Sequence, residues 1–316
     1  IPVWPHNNTQ GAWDMGVHPA LGPGYKAVKE PGMDAQAIYA GTHSGEIQAL
    51  YALGADPVGD GLLADRGQLD FLVVQELFLT ETAKLADVVL PAQSWAEREG
   101  TFTSGERRVQ RYYPGIQPLG ECRPDWQILA QIGERVGAGK PPIAASLVFR
   151  DISRAVPQYK GMDYRTLARV EKQWPDVGGE DLYYGGNSYE NRSGLGQQWA
   201  AAAETADIEH FDVPDGAAHT QEGLTLVRTA ALFTAGTLIN HSPVLADRIA
   251  QPTLLLNEVD ATAQQVTSGS RIMVTAAGKS YQVVVHVNGA APAGVALLRG
   301  VPYVAGTAVI ESITKA

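Results

Sequence analysis

The chain has 316 residues, 45% of them hydrophobic and 18% charged, with 34 Gly, 19 Pro and a formal net charge of −10. That length generally exceeds a single core, and that apolar content excludes a disordered chain. The acidic balance, without any run of Lys and Arg, excludes nucleic acid as a partner, and no apolar stretch approaches the ~18 residues that would span a bilayer.

Cys122 stands alone, which excludes a disulfide framework and any iron-sulfur cluster ligated by these residues by themselves. With no His beside it in GECRPDW, it reads as a structural thiol. The sequons at Asn7 and Asn191 read as idle ones in a cytosolic protein.

Residues 1–147 read as an α/β domain. It opens with NNTQGAWDMGVHP, Asn7 to Pro19. The run from Gly22 to Ala27 fits a G-x-G-x-x-A search, but no strand precedes it and Pro23 spoils the turn, so it is not a dinucleotide fingerprint. Ala49 to Leu53 reads as a strand that runs into Gly54-Ala55-Asp56-Pro57. Phe71 to Gln75, FLVVQ, suits a strand buried on both faces of a parallel sheet.

A helix should follow, with Thr80 or Thr82 as N-cap and Glu81 at the positive end of its dipole. Asp87 ends it, and Val88 to Leu90 return to extended chain before Pro91. Ser94 to Glu99 reads as a second short helix closed by Gly100 as a C-terminal cap, with a polar loop after it. Pro124-Asp125 starts a helix whose apolar face is Trp126, Leu129, Ile132 and Val136, ended by Gly137. Gln75, Glu76 and Thr82 then fall near the carboxyl edge of a sheet, where open α/β sheets bind ligands.

Residues 148–220 read as a helical and irregular connection, with Val156-Pro157 breaking a helix and a Gly-, Tyr- and Asn-rich stretch after Trp174-Pro175. Residues 221–316 read as mostly β, with strands at Leu224 to Arg228, Gly294 to Leu298 and Thr307 to Ile313. A hairpin pairs Arg271 to Thr275 with Ser280 to Val287, and Tyr281, Val283, Val285 and Val287 share one face.

Three segments carry a resemblance. Leu79 to Gln110 is LTETAKLADVVLPAQSWAEREGTFTSGERRVQ, Leu53 to Pro57 is LGADP, and Asp260 to Val287 begins DATAQQVTSGSRIMV. The first resembles the motif T-E-T-A-x-x-A-D-V-V-L-P-A-x-x-x-x-E-x-x-G-T-F-x-N-x-E-G-R-V-Q of the molybdopterin oxidoreductase superfamily, and within it the large iron-sulfur G subunit of respiratory complex I. The resemblance implies a formate dehydrogenase/DMSO reductase-like α/β domain followed by a six-stranded double-psi β-barrel. Working members hold molybdenum or tungsten in pterin dinucleotides, and the matching positions here are Gly54, Asp56, Pro57, Glu76, Thr82, Asp87, Gly100, Ser104 and Arg108.

Three positions depart from the motif: Ser104 stands for Asn, Arg107 for Gly, and Asp56 for the Asn of L-G-A-N-P. A carboxylate near an anionic pyrophosphate is unfavourable without a cation. The expectation is therefore a relict, empty pterin pocket, with molybdopterin absent and no catalytic or metal-binding residue. The chain would be the structural and docking portion of the G subunit of NADH:quinone oxidoreductase. It would be cytoplasmic, peripheral to the inner face of the cell membrane, and bound to other peripheral-arm subunits, with iron-sulfur clusters in an upstream part of the polypeptide. The alternative is part of an active molybdenum or tungsten bis-pterin oxidoreductase of the formate dehydrogenase or nitrate reductase type, with Thr82, Asp87, Arg108 and the Gly54 loop on the pterin dinucleotide. A hydrolase using His241-Ser242 or His43-Ser44 is a third reading, but neither pair sits in a G-x-S-x-G elbow.

Overall fold

The computed structural model describes residues 7–105, 107–167, 197–198, 223–229, 231, 239, 241–301 and 307–315. The irregular stretch expected after Trp174 lies almost wholly outside them. The chain forms two units, Ile1–Ala55 with Asp65–Phe211, and Asp56–Ala64 with Asp212–Ala316.

Three parallel strands frame the first unit: β3 (Ala49–Leu53), β4 (Phe71–Glu76) and β5 (Val88–Pro91), with β4 in the middle. Ahead of them come α1 (Thr9–Asp14), the short antiparallel pair β1 (Leu21–Gly22) and β2 (Lys26–Ala27), and α2 (Ala35–Ser44). The Asp34 carboxylate caps α2 by accepting from the Ala37 N–H at 2.8 Å. Between β4 and β5 lies the single turn α3 (Glu81–Lys84), capped by Thr80, whose hydroxyl accepts from the Ala83 N–H at 3.2 Å. Of the two expected caps, Thr80 is the one that forms; Thr82 lies inside the turn, buried.

β4 is buried on both faces only at its carboxyl end, where Gln75 and Glu76 are enclosed. One face, with Ala52, Leu72 and Val74, packs against Leu69 and Ala83. The opposite face leaves Tyr51, Leu53, Phe71 and Val88 exposed.

Two expectations past β5 are corrected. Ser94 to Glu99 is a turn, because the Glu97 carboxylate takes the Ser94 N–H and the Leu119 N–H, each at 2.8 Å, and ties the segment across to a distant loop. Gly100 is no left-handed cap. It starts β6 (Gly100–Thr103), which pairs with β7 (Arg108–Tyr112) as an antiparallel hairpin, so the expected polar loop is only the hairpin's tip. Glycine is required at position 100 because a Cβ would lie 2.6–2.9 Å from the Tyr112 ring and hydroxyl. A third strand, β8 (Gln197–Gln198), adds to β7.

The helix begun by Pro124 forms as α4 (Asp125–Arg135), and Gly137 follows with φ 85. α5 (Ala145–Ala155) runs through residue 147 and stops at Val156-Pro157 as its sequence requires. With α6 (Tyr164–Leu167) it buries Phe149, Val156, Tyr159 and Leu167 around Val109 of the hairpin.

The second unit is built on a closed six-stranded barrel in the order β10-β12-β11-β14-β9-β13. Its strands are β9 (Thr225–Arg228), β10 (Thr253–Leu256), β11 (Arg271–Ala276), β12 (Lys279–Val287), β13 (Val295–Arg299) and β14 (Thr307–Lys315). The hairpin β11–β12 turns on Ala277-Gly278, both at positive φ (49 and 69), the demand of a tight two-residue turn. Val283 and Val285 point inward with Leu226, Ile272, Val274 and Leu298, as their alternation predicts. β10 went unread, although Leu254 and Leu256 are fully buried; after it comes α7 (Glu258–Ala263), capped by Asn257.

Candidate functional site

Parallel pairing of β3, β4 and β5 brings their carboxyl ends together at Leu53, Glu76 and Pro91. Gly54 continues β3 with φ 60, and its N–H donates to the Gln75 carbonyl at 2.9 Å. A Cβ built on Gly54 meets nothing within 4 Å, so this turn presents bare backbone to open space. Glu76 ends β4, and one of its carboxylate oxygens accepts from the Leu77 N–H at 2.7 Å. Thr82 lies in the turn that follows.

A polar network stands under this edge. Gln75 is fully buried; its side-chain oxygen accepts from the Tyr51 hydroxyl at 2.5 Å, and its amide donates to Asp125 Oδ1 at 2.6 Å. The other Asp125 oxygen pairs with the Arg98 guanidinium. Although the Tyr51 residue is exposed, partial desolvation raises its hydroxyl's pKa, so it stays a proton donor near neutrality. The sequence places Gln75 at this edge, but it gives no sign of Asp125 and Arg98 as its partners. Asp125 reads there simply as a helix starter, and the pairing across 50 positions is a tertiary fact.

Asp87 is not brought to this edge. It precedes β5, at the amino end of the sheet, where Arg66 grips it and its Oδ2 also accepts the Leu72 N–H at 2.8 Å. Those bonds hold its pKa below the ordinary carboxylate value. Four residue steps along β4 separate Leu72 from Glu76, roughly 13 Å at the usual strand rise.

The hairpin tip carries Ser104, Arg107 and Arg108. Ser104 and Arg108 close it with a backbone bond of 3.0 Å from Ser104 N–H to Arg108 carbonyl. Arg107 adopts φ 65, the left-handed backbone that glycine takes without penalty. Arg107 thus holds a backbone conformation that glycine would adopt more easily. Arg108 is buried, and Gly100 stands at the far end of the hairpin, opposite Tyr112.

Asp14 is a buried carboxylate that sequence reading passed over. It accepts from Gln10 Nε2 (2.9 Å), the Tyr25 hydroxyl (2.6 Å) and the Tyr159 hydroxyl (2.8 Å), and Tyr159 also bonds Thr103 Oγ1 at 2.6 Å. Burial, with Asp14 adding to it, drives both tyrosine pKa values up. This knot ties α1 to the hairpin.

Asp56 and Pro57 belong to the second unit's segment Asp56–Ala64, where an Asp56 oxygen accepts the Gly59 N–H at 3.1 Å. Among the described residues no group of three or more His, Cys, Asp or Glu is placed to hold a metal, and no helix is long and apolar enough to cross a membrane.

Comparison with known proteins agrees with this architecture. Residues 11–135 match the family described as molybdopterin oxidoreductase. The chain is 32% identical to the F420-dependent formate dehydrogenase 2 subunit alpha of Methanococcus maripaludis, over 87% of this chain and 44% of that protein. It is 33% identical to the F420-dependent formate dehydrogenase subunit alpha of Methanocaldococcus jannaschii, over 86% of this chain and 43% of that one. The chain thus spans less than half the length of these relatives. Among solved structures, acetylene hydratase from Pelobacter acetylenicus superposes with a TM-score of 0.56 at 16% identity, covering 89% of this chain and 42% of the other, which speaks for the fold.

The chain has a mixed α/β, molybdopterin oxidoreductase-like fold, and the matches support the family resemblance read from its motifs. The finer assignment needs correction. The relatives are formate dehydrogenase alpha subunits, so the reading as a complex I G subunit is overturned in favour of the formate dehydrogenase alternative.

Proposed function

We propose that this chain is part of a molybdenum- or tungsten-dependent oxidoreductase of the formate dehydrogenase type, and that its first unit helps to hold a pterin dinucleotide. The observation that carries this reading is the 32% identity to a formate dehydrogenase alpha subunit along 87% of the chain.

The donor set fits such a group. The open Gly54 turn lets a ligand approach backbone that a side chain would otherwise shield. Ser104 with Arg107 and Arg108 supplies a hydroxyl and two guanidinium groups, suited to pyrophosphate oxygens. Glu76 supplies carboxylate oxygens, acceptors for the N–H edge of a purine or pterin ring. When bound, the metal-pterin group supplies the two-electron redox centre. The part of these residues is to bind and orient it. Asp87, held by Arg66 at the other end of the sheet, is left out of the set.

The test uses the polypeptide that carries this chain, purified from its native source without chelators. Stoichiometric molybdenum or tungsten, together with formate-dependent reduction of a viologen dye, is the expected result. Protein that is folded but free of both metals and inert toward formate would end the proposal.

A further inference from the structure

Gln75 is fully buried although it has a polar side chain, and it makes three bonds that join three segments. Its backbone carbonyl accepts the Gly54 N–H at 2.9 Å. Its side-chain oxygen receives the Tyr51 hydroxyl from β3 at 2.5 Å, and its side-chain amide donates to Asp125 at the start of α4 at 2.6 Å. Asp125 in turn pairs with Arg98, one residue beyond Glu97, whose carboxylate fastens the turn that leads into the β6–β7 hairpin.

The chemistry of the position is restrictive. A carboxylate can only accept, so the Gln75 nitrogen must face Asp125. Its oxygen then faces Tyr51, which must donate. A donor on one side and an acceptor on the other, at glutamine's reach, are what an amide provides and neither an ionised Glu nor a Leu does. A buried polar side chain satisfied on both sides specifies one arrangement, because each alternative leaves a desolvated group unpaired.

We propose that Gln75 is a positioning residue that sets the Gly54 turn and couples it to the hairpin carrying Ser104, Arg107 and Arg108, so that both are preformed before a pterin dinucleotide arrives. This rests on the reading above for the identity of the ligand. The clamp itself can be tested without it.

The test compares the parent polypeptide with Gln75→Glu, Tyr51→Phe and the double variant Gln75→Glu/Asp125→Asn. Two readouts are taken: hydrogen exchange of peptides covering residues 50–58 in ligand-free protein, and pterin dinucleotide retained after gel filtration. Gln75→Glu sets two carboxylates against each other inside the protein. It should speed exchange at the Gly54 turn and lower retention by roughly tenfold to a hundredfold, the range for residues that orient ligand-holding groups. Tyr51→Phe removes one donor, keeps the ring, and should give the same changes in smaller degree. In the double variant the amide introduced on α4 donates to the carboxylate introduced on β4 and still offers an oxygen to Arg98, so both readouts should recover.

Exchange at residues 50–58 unchanged in folded Gln75→Glu overturns the clamp. So does failure of the double variant to recover while Gln75→Glu itself is folded. If Gln75→Glu does not fold, Tyr51→Phe decides, and unchanged exchange there rejects the proposal. A parent that retains no pterin but shows the exchange pattern upholds the clamp and rejects the function proposed above, which keeps the two failures distinguishable.

Discussion

Arg66 and Asp87 face each other in parallel at the amino end of the central sheet, Nη1 to Oδ1 at 3.2 Å and Nη2 to Oδ2 at 2.8 Å. The same Oδ2 accepts the Leu72 N–H, and the guanidinium also donates to the carbonyls of Leu69 and Leu85. The pair thus joins the entries of β4 and β5, which makes Asp87 a fastener of the sheet.

The pH dependence of that fastener has a definite sign. The folded-state pKa of Asp87 is depressed, chiefly by Arg66 and next by the Leu72 N–H. Its contribution is therefore present above the unfolded carboxylate pKa of about 3.9 and is lost as pH falls through the lower folded value. Asp87→Asn should lower the urea midpoint at neutral pH, and the gap from the parent should close in acid. A gap that stays constant from pH 7 to pH 2 would refute this, and so would pterin retention that falls in Asp87→Asn at unchanged stability.

Thr80 and Thr82 differ in what they hold. Thr80 caps α3, so Thr80→Ala should cost ~1 kcal/mol and Thr80→Ser should restore most of it. Equilibrium unfolding of the three proteins measures this. If Thr80→Ser is as weak as Thr80→Ala, the hydroxyl is not the stabilising group.

Gly100 faces the Tyr112 ring, and that ring is stacked on Phe102 at 4.7 Å, so it is not free to swing aside. Gly100→Ala should cost about 1–3 kcal/mol, as overpacking does. Shortening the obstacle should relieve it: the cost of Gly100→Ala in a Tyr112→Leu background should be clearly smaller. Equal costs in both backgrounds would show that the contact with Tyr112 is not the reason for glycine.

Local sequence carried the fold far. Strand β3, the Pro-started α4, the break at Val156-Pro157 and the β11–β12 hairpin follow from periodicity, proline geometry and turn chemistry, all properties of neighbours along the chain. What stayed hidden depends on distant partners. Ser94 to Glu99 has the composition of a helix, yet Glu97 spends its carboxylate on the Leu119 N–H. Gly100 has the spacing of a cap, yet it is small because of Tyr112. At the candidate site Gln75 and Glu76 could be placed at the strand's end, whereas the Asp125 and Arg98 pairing and the position of Asp87 at the opposite end required the sheet itself.

Arg107 offers a way to separate backbone from charge. At φ 65 an arginine stands where glycine would sit without strain, a burden of about 1–3 kcal/mol for a side chain held in that region. Arg107→Gly removes that strain, but it frees the unfolded chain, a penalty of roughly 0.4–1 kcal/mol, and gives up whatever the side chain holds. Arg107→Ala keeps the strain, loses the charge and should be the less stable of the two. If the guanidinium binds a pterin dinucleotide's phosphates, both variants should retain less of it, and by similar factors despite their different stabilities. Retention that instead follows stability would mean that Arg107 matters through the shape of the hairpin tip and not through its charge.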